Sequence, residues 1–213
     1  MATPPTVDPS GIGPLELVEY PHPALLRRTS PLVRIDDELC EAIDRMFEIM
    51  YESVGVGLAA NQVGLPDRLF IVNTEARPDA GEELVFINPT LSRPRGTDVQ
   101  EEGCLSLPGL RMDVRRPEKV VLEAWTLDGE QVSLDLDGFL ARVVQHEFDH
   151  LEGRLFTDRL PEAASLEARS ALDSMRHMFL GKQSRGELPS DEAIHARLDR
   201  LEAARCPPPR GRA

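Results

Sequence analysis

Long apolar runs, paired cysteines and lysine are all scarce in this sequence of 213 residues, and each scarcity excludes something. Its longest apolar stretches, such as residues 54–60, fall far short of the roughly 20 residues that span a bilayer. No basic side chain precedes Arg27, so no positively charged segment opens a secretory signal. The three cysteines, Cys40, Cys104 and Cys206, are odd in number and far apart, which is no disulfide framework. Lysine occurs only at positions 119 and 182, a bias that reads as composition rather than design. A net charge of −13 argues against nonspecific binding to nucleic acid, because so acidic a surface repels phosphate. A cytoplasmic protein with neither DNA nor membrane as a partner is expected.

What is present fits one domain with an appendage. Residues 1–161 hold 15 Lys+Arg against 29 Asp+Glu, while residues 162–213 hold 9 against 8, so the acidity belongs to the first part. A Pro-, Thr- and Gly-rich lead-in, 1–13, is expected to be flexible. A short strand is expected over 15–18. Asp36 or Asp37 then caps a helix running to about Ser53, with Leu39, Ile43, Met46, Phe47 and Met50 as its apolar stripe. Gly55 to Gly57 reads as a turn. Extended segments are expected over 69–72, 84–88, 97–100, 120–126 and 132–136, the last two joined by an Asp128-Gly129 hairpin turn. Gly138 opens a second helix, 139–151. Strands gathered between two helices indicate an α+β fold rather than alternating βαβ units. Beyond Pro161 one helix ends near Gly181, a linker covers 183–190, a short helix carries Ile194, Leu198 and Leu201, and the chain from Cys206 is expected to be disordered.

The chemistry concentrates in His146-Glu147-Phe148-Asp149-His150. On a helix, residues i and i+4 project from one face, so both imidazoles can reach one divalent metal, with Glu147 beside a bound water. Two histidines need a third ligand. The longer metalloprotease pattern would put a histidine where Phe156 stands. Glu162 and Glu167 lie beyond Pro161, and the remaining soft donor is Cys104, although a buried packing cysteine would suit that position as well.

Three segments resemble one family together and in order: Gly55-Val56-Gly57-Leu58-Ala59-Ala60-Asn61-Gln62, Glu102-Gly103-Cys104-Leu105-Ser106, and Gln145-His146-Glu147-Phe148-Asp149-His150. They are similar to those of peptide deformylase, the bacterial-type enzyme that removes the N-formyl group from nascent polypeptides. The likeness runs from about Leu15 to Arg159. It implies antiparallel sheets packed around a central helix carrying the HExxH motif, with an N-terminal helix and a helical C-terminal extension. It also implies a catalytic region over 14–161 and an extension over 162–213.

For the site, the resemblance implies one divalent metal held by Cys104, His146 and His150. Fe(II) is the expected physiological ion, with zinc, nickel or cobalt substituting. Glu147 takes the water proton and delivers one to the leaving amine. The backbone N–H of Leu105 and the side-chain amide of Gln62 donate to the oxyanion. Val56 and Gly57 run beside the substrate, and Phe139 and Val143 wall a pocket for its methionine. Arg142 departs from the aliphatic residue of many relatives; its stem is expected to cover apolar surface while its guanidinium reaches water. Glu102 and Asp149 either orient ligands and pair with Arg116, or are solvated carboxylates. N-formylmethionyl nascent peptides are the expected partners, with the ribosome at most a transient one through the arginines of the extension. A metallopeptidase sharing only HExxH, or a binding protein with a structural metal, are the alternatives.

Overall fold

Why the chain folds as it does begins with its first long helix, α1 (Asp37–Glu52). The Asp36 carboxylate accepts from the Leu39 amide, Asp37 and Glu38 lie in the first turn, and the apolar stripe is buried throughout. The computed structural model describes residues 12–207. After α1 come β1 (Gly57–Ala59), β2 (Leu69–Val72), β3 (Leu84–Arg95), β4 (Asp98–Cys104), β5 (Leu107–Arg116), β6 (Lys119–Trp125) and β7 (Gln131–Asp137). Three helices complete the chain: α2 (Gly138–Leu151), α3 (Glu162–Ser184) and α4 (Asp191–Arg205).

The fold is α+β, with two antiparallel sheets and four α-helices among the described residues. Strands β1-β2-β3-β6-β7 form the larger sheet in that order, and β4 and β5 form a separate hairpin. Gly129, at φ 74°, closes the β6–β7 turn in the left-handed region that glycine enters without strain. Helix α2 lies on the larger sheet: Ala141, Val144 and Leu151 pack with Phe70, Val72, Phe86 and Leu122. Helix α1 fills the other main cluster with Leu58, Leu65, Leu69 and Ile71. No helix among the described residues is long and apolar enough to cross a membrane.

Several expectations are corrected. Residues 15–18 form no strand: the Val18 N–H donates to Gln62 O, in the 3-10 turn of helix after β1, rather than to a sheet neighbour. The segment expected over 84–88 continues to Arg95 through two register shifts. The one expected over 97–100 runs to Cys104 because it pairs with β5, which periodicity did not reveal. Gly57, read as part of a turn, starts the edge strand β1. Helix α3 persists to Ser184, shortening the linker.

At the N terminus, residues 1–11 of the expected lead-in lie outside the described residues, whereas Ile12 is buried in the α1 cluster. Cys206 is also buried there, beside Leu201, so the described part of the last segment is anchored; residues 208–213 lie outside the described ones. Arg205 explains the anchoring. Its guanidinium makes a buried ion pair with Asp67, at 2.7 Å from Nη2 to Oδ2.

Candidate active site

Helical spacing turns three rows of α2 in different directions. Ala141, Val144, Phe148 and Leu151 meet the sheet, while Arg142, His146 and Asp149 meet the β4–β5 hairpin and Gln145 donates to Pro117 O just beyond it. Val143 and Glu147 border a cleft of about 720 Å³. The cleft is closed by Gly55, Val56 and Gly57 on one side, and by Leu105 and residues of β5 on the other.

Cys104 ends β4 at a register shift, which turns the chain back to Leu107. Its Sγ lies 3.2 Å from His150 Nε2. One donor atom each from Cys104, His146 and His150 falls within 4.8 Å of the others. These three side chains could hold a metal, and their surroundings fit a cation. Burial would strip the proton from His146, yet hydrogen bonds to Cys104 and Glu102 outweigh it and raise the imidazole to about 10, so without metal it carries a proton that a bound metal would displace. Burial, aided by the His146 charge, holds His150 well below its usual range; it is neutral, as a ligand must be. His150 Nδ1 is buried without a partner. His146 Nδ1 faces Glu102 Oε2 at 3.0 Å, the kind of carboxylate contact that orients a ligating imidazole.

Glu147 is buried, and its Oε2 has no hydrogen-bond partner. Burial raises its carboxyl to about 7 against the opposing pull of His146 and Arg116. A Cβ at residue 57 would lie 2.6 Å from Glu147 Oε1, so the strand can pass the carboxylate only as glycine. Gln62 is 1% exposed. Its Oε1 accepts from the Ala59 amide at 2.8 Å, which leaves Nε2 facing Ser106 Oγ at 3.2 Å and Cys104 Sγ at 3.6 Å. Leu105 sits in the turn between β4 and β5 and lines the cleft.

A sequence model of the polypeptide deformylase family matches residues 14–165.

The chain belongs to the polypeptide deformylase family.

Among the relatives, the peptide deformylase of Rhodopirellula baltica is 45% identical over 183 residues, covering 86% of this chain and 90% of its own. The chloroplastic/mitochondrial peptide deformylase 1B of Arabidopsis thaliana is 38% identical over 188 residues, 88% of this chain and 68% of its own. A plant peptide deformylase crystal structure superposes with a TM-score of 0.78 at 37% identity, covering 84% of this chain and 96% of that one. The peptide deformylase of Synechococcus elongatus in complex with actinonin gives 0.71 at 41% identity, over 76% and 87%. Deformylases are metal-dependent enzymes that act on nascent peptides, and the Cys104–His146–His150 cluster lies inside the matched region.

The expected pocket residues divide. Val143 is buried in the cleft wall, Val56 is half-buried there, and Phe139 stands at the rim, 52% exposed. Arg142 corrects the sequence reading. Its guanidinium does not reach water; the residue is 5% exposed and is tied to Glu102, Asp98 and Val114. Glu102 and Asp149 are not solvated carboxylates. Arg116 donates to Glu102 Oε1 at 2.6 Å and to Asp149 Oδ2 at 2.7 Å, and Arg159 also holds Asp149. Burial would raise the Glu102 carboxyl, but His146 and Arg116 together draw it down to about 2.

Sequence reasoning missed roles for Asn61 and Ser106. The Asn61 amide donates to the His150 carbonyl at 2.5 Å, and Ser106 meets Gln62. Both stand in segments that carried the family likeness, so the signal was at hand without a role attached. The cleft wall from β5, including Leu110 and Arg111, had no such signal.

Proposed function

We propose that the chain hydrolyses the N-formyl group of formylmethionyl nascent peptides, with Cys104, His146 and His150 holding one divalent metal. The observation that carries this reading is the convergence of a thiol and two imidazoles beside a buried carboxylate whose free oxygen borders the cleft. When bound, the metal supplies Lewis acidity that activates water and polarises the formyl group. Fe(II) is the physiological ion in this reading, and zinc, nickel or cobalt are substitutes that the same donor set accepts.

Glu147 takes the proton of the attacking water and returns it to the departing amine. A carboxyl drawn up to about 7 suits both transfers. Water adds across the formyl C–N bond, giving formate and a free amino terminus. Gln62 Nε2, fixed in direction because Oε1 is engaged, and the Leu105 N–H donate to the developing oxyanion. The peptide runs along Val56 and Gly57, where the edge strand β1 offers strand-like pairing. Phe139, Val143 and the stem of Arg142 receive the methionine side chain. Helix α2 is the central support, residues 14–161 carry the chemistry, and α3 and α4 of the extension buttress it. The enzyme works in the cytoplasm, consistent with its three free cysteines, and meets the ribosome only in passing.

The test is formate release from formyl-Met-Ala-Ser by anaerobically metal-loaded chain. Glu147→Ala should lose activity by about 100-fold or more while retaining metal. Cys104→Ala should lose the metal. No formate from the loaded wild-type chain would overturn the reading.

A further inference from the structure

The candidate metal site is divided between two pieces that share no backbone ladder. Cys104 belongs to the β4–β5 hairpin, which is separate from the larger sheet, whereas His146 and His150 belong to α2. Something other than β-pairing must keep the thiol at its distance from the imidazoles. Two guanidiniums cross between them: Arg116 of β5 reaches Asp149 of α2, and Arg142 of α2 reaches both strands of the hairpin. Arg142, one turn before His146, donates from Nη1 to Glu102 Oε1 at 2.6 Å and to Val114 O at 3.1 Å. Its Nη2 reaches Asp98 O at 3.1 Å and Asp98 Oδ2 at 3.2 Å. Those contacts grip both strands of the hairpin from a single residue of α2. Glu102 stands two residues before Cys104, on the same strand, and its other oxygen holds His146.

We propose that Arg142 is a positioning residue that staples the hairpin to α2 and thereby sets the spacing of Cys104 from His146 and His150. Burying a guanidinium is costly unless its donors are matched; here both terminal nitrogens are, and Nε is buried without a partner. An aliphatic residue of similar length would fill the volume but withdraw the side-chain donor from the carbonyls of Asp98 and Val114, and leave Glu102 Oε1 to Arg116 alone. Lysine would keep the charge and lose the fork that joins two strands.

The proposal rests on the metal reading above, so its test has one arm that needs no metal. Amide hydrogen exchange of residues 98–116 is measured in the metal-stripped full chain of wild type, Arg142→Met and Arg142→Lys. Co(II) affinity and the thiolate-to-cobalt absorption band are then measured on the same proteins. In Arg142→Met the hairpin amides should exchange about tenfold faster or more, the loss of a charge-assisted hydrogen bond. Co(II) should bind about 10–100-fold more weakly, with a weakened thiolate band. Arg142→Lys should recover part of both.

Wild-type exchange and cobalt affinity in Arg142→Met would overturn the staple. Should that variant fail to fold, Arg142→Lys and Asp98→Ala decide, and unchanged hairpin exchange in both overturns it. A wild-type chain without a thiolate–cobalt band would overturn the metal reading instead, and the exchange arm would still judge Arg142.

Discussion

One helix, α2, is gripped by two different kinds of surface. Towards the larger sheet it presents Ala141, Val144 and Leu151 to Phe70, Phe86 and Leu122, a contact of apolar atoms alone. Towards the hairpin it presents Arg142, Gln145, His146 and Asp149 to Glu102, Arg116 and the carbonyls of Val114 and Pro117. Apolar packing is favourable in proportion to area and tolerates small adjustments at conserved volume. Charge-assisted hydrogen bonds are directional, and a displacement that an apolar contact absorbs would break them. The contrast teaches where each property of the site comes from. The sheet side supplies stability, and the hairpin side supplies the alignment of Cys104 with the histidines.

The largest effect should come from the centre of the charged side. Arg116 is fully buried between Glu102 and Asp149. Arg116→Met removes the cation that joins two buried carboxylates, leaving Glu102 to Arg142 and Asp149 to Arg159, and should cost about 3–5 kcal/mol in urea denaturation, with loss of metal from whatever folds. On the apolar side, Leu122→Ala should cost about 2–5 kcal/mol by the same measurement. There the two sides should part: the folded fraction of Leu122→Ala keeps wild-type metal affinity. If both variants lost metal equally, the division of labour would be broken.

A third prediction lies between the two sides. Gly57→Ala should lower formate release by about 100-fold through displacement of Glu147, with little change in the denaturation midpoint.

The smallest effect sharpens the comparison from outside α2. His22 is neutral because burial, then the Arg197 charge, draws it down to about 4; its Nδ1 accepts from the Ala24 amide and its ring meets Phe179 edge-on. A base whose folded pKa is depressed leaves the unfolded chain holding more protons between the two values. Its contribution is therefore complete above about pH 6.5 and is lost as pH falls towards about 4. Replacing it in His22→Asn, which retains an acceptor at the cap, should flatten that part of the stability–pH curve relative to wild type.

How much of this could be read without coordinates follows from where the information sits. Helices α1 and α2 were legible because periodicity and capping are written in consecutive residues. Cys104, His146, His150, Glu147 and Gln62 were legible because each stands in a short segment with a recognisable neighbourhood. Strand β5 was not read, although Leu110, Met112 and Val114 alternate with Arg111, Asp113 and Arg115: Pro108 and Gly109 at its start read as a break, and among the described residues its strand partner is β4 alone. Residues 15–18 misled because a short apolar segment resembles a strand, while the Val18 amide bonds to Gln62 O outside any sheet. Arg142 misled for a deeper reason. Whether an arginine is buried depends on partners brought from elsewhere in the chain, here Asp98, Glu102 and Val114.

Helix α4 carries a consequence for the order in which the molecule is made. Leu201 and Cys206 complete the cluster that α1 begins, Arg197 donates to Gly64 O at 2.9 Å, and Arg205 neutralises the buried Asp67. The final described element is thus also the keystone of the first core. On a translating ribosome, where folding proceeds from the N terminus, that core stays unfinished, and Asp67 unpaired, until α4 has emerged. An enzyme that attends other chains as they are born can close its own core only once α4 has left the ribosome.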